Sequence, residues 1–119
     1  MARHSNPHCL LVFLSPDKVL KLLVMKQDGG LSLGFEGYQW HVHGDMLLAE
    51  YEAETEDAAV GYFIHDLFTG ARAVIIHKRG GGVVDISVGY RSDSPFYSDP
   101  RNDPYSKPDE SVEVRRWDS

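Results

Sequence analysis

The chain has 119 residues, enough for one domain (1–119) with a sizeable core, and its 42% apolar and 25% charged content is that of a globular protein. Its net charge is −6, and between Lys26 and Arg72 no lysine or arginine occurs, so a phosphate-tracking surface is not expected and nucleic acid is an unfavoured partner. No apolar run reaches membrane-span length, no cleavable leader is expected, and a single cysteine, Cys9, excludes an intramolecular disulfide; a reducing, cytoplasmic setting follows as the expectation.

Residues 1–8 are polar and are expected to be frayed. Cys9 to Leu14 reads as a short apolar strand, with Cys9 as an inert buried thiol. Ser15-Pro16-Asp17 is turn chemistry, because proline fixes φ and aspartate tolerates turn geometry. Val19 to Met25 follows as a second, nearly all-apolar strand. Asp28-Gly29 is a hairpin signal. Leu31, Leu33 and Phe35 then alternate with Ser32 and Gly34, the period of a half-buried strand.

Trp40-His41-Val42-His43-Gly44-Asp45 is the densest run of chemically capable groups. In an extended chain Trp40 and Val42 share one face and His41 and His43 the other, with Gly44-Asp45 closing the strand as a turn. His41, His43 and Asp45 form a candidate ligand set for zinc or another divalent transition metal, with His77 as a further donor from a neighbouring strand. The competing interpretation is a strand anchored by Trp40 whose histidines lie at a wet rim.

Residues 46–54 combine strand-period alternation of Glu50, Glu52 and Glu54 with good helix formers; extended chain to Ala53 is the expectation. Thr55 can cap a helix, and Val60, Phe63, Ile64, Leu67 and Phe68 form one apolar stripe ending at Gly70, so residues 56–69 are predicted as the one amphipathic helix. His65 and Asp66 flank that stripe and are expected to be solvated. Arg72 to Lys78 and Val83 to Val88 read as strands joined by the Arg79-Gly80-Gly81-Gly82 connection. This run lacks the Lys-Ser/Thr and the helix that a phosphate loop needs. Residues 91–111 hold Pro95, Pro100, Pro104 and Pro108 and read as an irregular loop, with Phe96, Tyr97 and Tyr105 to pin it to the body or present it to a partner. Val112 to Trp117 alternates as a last strand.

The fold expected is α+β: a mainly antiparallel, twisted sheet of five to seven strands with the helix at about 56–69 packed on one face. No nucleophile–base signature is present, and nine of the eighteen carboxylates lie between Lys26 and Arg72. A non-enzymatic module that binds a basic protein is therefore the leading expectation. Asp45, Glu50, Glu52 and Glu54 would steer docking, and Tyr38, Trp40 and Tyr51 would anchor it. Pairing of two copies through an exposed strand edge is a further possibility.

The order Trp-His-x-His-Gly-Asp, capped helix, glycine-bearing β-hairpin and polar loop ending at Arg115 to Asp118 resembles small uncharacterised bacterial α+β proteins. Some proteins of that kind act as immunity proteins beside toxins. The resemblance implies an inhibitor that occludes a basic toxin or enzyme, and it carries over no functional residue.

Overall fold

The computed structural model describes residues 8–27, 29–102 and 109–118. Seven strands and two helices follow in the order β1 (His8–Leu14), β2 (Lys21–Gln27), β3 (Gly30–Phe35), β4 (His41–His43), α1 (Gly44–Tyr51), α2 (Glu56–Thr69), β5 (Val74–Arg79), β6 (Gly82–Val88) and β7 (Glu110–Arg115), with a 3-10 turn at Pro100–Asn102. All strand pairings are antiparallel, so the fold is α+β as expected. The single sheet is corrected to two: β1-β2-β3-β4 and β6-β5-β7. The single helix is corrected to two. Among the described residues no helix is long and apolar enough to cross a membrane.

The first sheet grows by short connections. β1 and β2 are joined by a turn in which Lys18 takes a positive φ of 64°. Ser15 Oγ accepts the Leu20 N–H at 3.0 Å and donates to Asp17 Oδ1 at 2.6 Å. Gly29, at φ 83°, supplies the left-handed residue between β2 and β3. Inner-face residues then follow the pleat: Leu22 is opposite Phe35 and Val24 opposite Leu33, and all four are buried.

Helix α1 is the main departure from the expected course of the chain. Residues 46–51 are helical rather than extended, and Gly44-Asp45 opens a helix rather than closing a strand. Met46, Leu47, Leu48, Ala49 and Glu50 are all strong helix formers, and helical spacing buries Gly44 and Leu47 on one side. The apparent alternation of Glu50, Glu52 and Glu54 is coincidental, because Glu52 is already the left-handed cap, at φ 53° and ψ 41°. There the Glu52 and Ala53 N–H groups donate to Ala49 O and Leu48 O.

Helix α2 has the predicted limits. The Thr55 hydroxyl accepts the Ala58 N–H at 3.1 Å, Glu56 and Asp57 lie in the first turn, and Gly70 ends the helix at φ 89°. Its buried stripe is Ala59, Val60, Phe63 and Leu67. Phe63 is 1% exposed, and its burial contributes roughly 1.5–3 kcal/mol. Asp66, expected to be solvated, is instead buried. The Glu56 carboxylate reaches out of the helix to accept the Leu31 N–H at 2.9 Å, which ties α2 to β3.

One buried cluster joins the two sheets and both helices, from Leu20, Leu22 and Leu33 through Leu47, Phe63 and Leu67 to Val74, Ile76 and Val88. Trp117, just past β7, is buried against Phe68 with ring centroids 5.1 Å apart, and Phe68 in turn meets Phe13 of β1 at 5.5 Å. Arg115 pairs with Asp17 at 3.0 Å and so clips β7 to the β1–β2 turn. β7 begins at Glu110, which shortens the irregular segment predicted for 91–111. Cys9, expected to be buried, is exposed. Of residues 1–8, expected to be frayed, His8 is instead the first residue of β1, and residues 1–7, the Asp28 turn position and Tyr105 lie outside the described residues.

Candidate functional site

The two sheets meet at a seam that leaves an open cleft of about 430 Å³. Strand β4 ends the first sheet after only three residues. Instead of a ladder to β6, the Trp40 N–H donates to Asp85 Oδ1 of β6 at 3.2 Å. Trp40, Val42, Met46, Phe63, Val88 and Phe96 line the resulting cleft, together with His41, Tyr90 and the Glu50–Arg72 pair. Three large side chains around it stay in solvent: Met46 is 57% exposed, Tyr90 47% and Phe96 67%.

The polar part of the cleft is self-satisfied. Arg72 is 3% exposed. Its guanidinium pairs with Glu50, donates to Gly89 O at 2.8 Å and to the Tyr51 hydroxyl at 2.9 Å, and lies 4.8 Å from the Phe63 ring centre. The Tyr51 hydroxyl in turn donates to Asp66 Oδ2 at 2.7 Å. Burial, and then the bond to Asp66, push the Tyr51 phenol well above its ordinary range. The phenol is therefore a fixed donor and not a base. Glu50 and Tyr51, expected from the sequence as partner-binding residues, are placed in a half-buried network that holds α1 against the β5 entry.

The remaining sequence candidates divide by place. Trp40 and Tyr38 are half-buried and pack against the core, Trp40 lying 6.1 Å from Phe35. Asp45, Glu52 and Glu54 are exposed. The latter two flank a shallow recess beside the Tyr51–Tyr62 ring pair, whose centroids are 5.7 Å apart. His41 and His43 are exposed on one face of β4, with ring centroids 4.8 Å apart. His41 Nδ1 donates to Gln39 O at 3.1 Å, since a carbonyl can only accept. His77 lies in the other sheet and bonds Ser87 Oγ at 3.0 Å. Among the described residues no group of three or more His, Cys, Asp or Glu is gathered to hold a metal ion.

Sequence reasoning missed Met46, Phe63, Val88, Tyr90 and Arg72 as cleft residues. Phe63 and Val88 carry only core patterning, and nothing local marks Arg72 as buried. Phe96 had a signal, an aromatic within a proline-rich segment. The segment is held in place by the Ser92 N–H donating to Ala71 O at 3.4 Å and by Arg91 paired with Asp66 at 3.4 Å. That anchorage brings Phe96 to within 5.9 Å of Tyr90, measured between ring centres. Comparison of the chain with known protein families, with curated proteins and with solved structures finds no match.

Proposed function

We propose that the chain is a non-enzymatic protein-binding module that receives an apolar side chain of a basic protein partner in the cleft between its two sheets. The observation that carries this reading is the exposure of Met46, Tyr90 and Phe96 around one concave, largely apolar site. Aromatic and methionine side chains are enriched at interface cores, the aromatics because they cover much area with few rotamers to lose and methionine because its flexible thioether fits irregular surfaces. Asp45, Glu52 and Glu54 lie exposed in the stretch without Lys or Arg and would steer a cationic partner. Glu50 and Arg72 pair with each other at the cleft, so neither charge is left over for a bound molecule. The finer form of the proposal is an immunity-type inhibitor that occludes a basic toxin or enzyme.

The test is capture of the partner from native cells, followed by titration of the purified pair with two variants. Phe96→Ala should raise Kd, and Asp45→Lys with Glu52→Lys and Glu54→Lys should slow association and flatten its salt dependence. Unchanged Kd in the first and unchanged association rate in the second would refute the reading. Glu50 is left intact because its change would unpair Arg72.

A second reading, a divalent transition-metal site such as zinc on His41 and His43, rests on the contact between their rings. Equal metal content in the wild type and in His41→Ala plus His43→Ala would remove it.

A further inference from the structure

A strand at the edge of a sheet carries a row of unpaired backbone N–H and C=O groups, and folded proteins blunt such edges with charge, shortness or cover. The two sheets have four edges among the described strands. β4 is blunted by its length of three residues. β6 is covered where Asp85 takes the Trp40 N–H. β7 carries Glu110, Glu113 and Arg115. Among the described residues only β1 has none of these devices. From Cys9 to Leu14 it bears no charge, and Leu10, Leu11, Val12 and Leu14 are each about half exposed, at 51%, 53%, 48% and 54%.

Alternation makes the exposure unusual. Phe13 and Leu11 oppose the buried Leu22 and Val24 of β2, and Val12 and Leu14 oppose Leu23 and Lys21 on the other face. Only Phe13 is anchored inward, against Phe68. Apolar side chains therefore stand in solvent on both faces of the strand as well as along its free edge. Val19, just past the turn, is 65% exposed and extends the patch.

We infer that β1 is the contact through which two copies of this chain pair, antiparallel and about a two-fold axis, joining two four-stranded sheets into one of eight. Three observations select a second copy as the occupant. The segment is self-complementary, because reversing an uncharged strand against itself opposes apolar to apolar at every position. The five exposed side chains present on the order of 500 Å² of apolar surface per copy, and edge pairing, which covers only part of both faces, removes less than roughly 1,000 Å², the size of a weak, reversible contact. The strand order also closes the assembly: both ends of the joined sheet are the three-residue β4, so the pairing stops at two.

The geometry sets the strength as well. A bulge between Cys9 and Leu11 leaves Leu11 to Leu14 as the regular ladder, which makes the contact short and reversible. The inter-sheet cleft lies at β4, the far edge from β1, so it stays open in both copies. The dimer would present two such clefts, and this pairing does not depend on what they bind.

The test is sedimentation of the full chain across micromolar to sub-millimolar concentration, with amide hydrogen exchange at both ends of the range. The expected result is a rise from monomer to dimer mass, with exchange in β1 slowing as the dimer forms. Val12→Lys with Leu14→Lys, both on exposed positions, should stay monomeric throughout with an unchanged Tm. Leu10→Lys, at the bulge, is the second variant should the first lower Tm. Three results would overturn the inference: a wild type that remains monomeric over the whole range, a dimer whose new protection falls on β6 or β7, or lysine variants that dimerise as strongly as the wild type.

Discussion

The backbone N–H of Trp40 donates to the carboxylate of Asp85 at 3.2 Å, and this bond joins the end of one sheet to the edge of the other. The same Asp85 oxygen accepts the Ile86 N–H at 2.9 Å. A side chain thus takes a donor that a strand ladder would otherwise satisfy, and the seam stays open enough to form the cleft. Asp85→Ala leaves the half-buried Trp40 N–H without its acceptor. It should lower stability by about 1–3 kcal/mol, read as a shift of the urea midpoint at neutral pH. An unshifted midpoint would mean that water replaces the carboxylate without loss.

Arg72 is the most heavily engaged charged residue of the cleft. Arg72→Ala removes the partner of Glu50 and one donor to Tyr51, and should cost roughly 3–5 kcal/mol in denaturant unfolding. The double change Arg72→Met with Glu50→Leu should be less damaging than either single change, because it leaves no half-buried charge unpaired. Strict additivity of the two would argue against a coupled pair.

Asp17 supplies a pH dependence with a definite sign. The Ser15 hydroxyl, then the Val19 N–H, and then Arg115 hold its carboxyl at about 2, against an ordinary 3.8. A carboxyl with a lower pKa in the folded than in the unfolded chain adds stability above the unfolded value, and that share is lost as pH falls through the folded value. The urea midpoint of the wild type should therefore exceed that of Asp17→Asn at neutral pH, and the gap should close between about pH 4 and pH 2. A gap that persists unchanged to the acid end would assign the difference to geometry rather than charge.

Phe96 and Phe63 both line the cleft but differ in burial, 67% exposed against 1%. Phe96→Ala should leave stability within about 0.5 kcal/mol while weakening the partner at least roughly tenfold. Phe63→Ala should cost about 3–5 kcal/mol through the cavity it opens. Thermal unfolding and titration of the two variants together separate the surface role from the core role.

Gly70 ends α2 in the left-handed region, and a Cβ there would run into the Arg116 guanidinium, which also donates to Thr69 O at 3.2 Å. Gly70→Ala should cost roughly 1–2 kcal/mol, from the backbone conformation and the displaced arginine. A loss below a few tenths would show that the cap relaxes freely.

Elements whose signals are local were legible in the chain. Thr55, the Val60-Phe63-Leu67 spacing and Gly70 specify α2 within its own residues, because capping and the apolar stripe are both short-range. The β2–β3 hairpin and the pairing of β5 with β6 follow from alternation and glycine-bearing turns in the same way. Helix α1 was not legible. Over eight residues, alternation and helix propensity point in different directions, and the burial of Gly44 and Leu47 against the rest of the molecule decides between them.

The site divides along the same line. By itself the sequence determined the α+β class, the acidic stretch without Lys or Arg, the same-face histidines of β4 and the absence of a local catalytic signature. Each of these is a property of neighbours along the chain. Tertiary structure alone decided that seven strands split into two sheets and that Arg72 is buried against Glu50 and Tyr51. It also brought Met46, Tyr90 and Phe96 from three separate segments to one cleft, and left β1 as the bare edge among the described residues. The physical reason is that burial and ion pairing are set by which elements pack together, and residues 22 positions apart, such as Glu50 and Arg72, carry no local mark of their meeting.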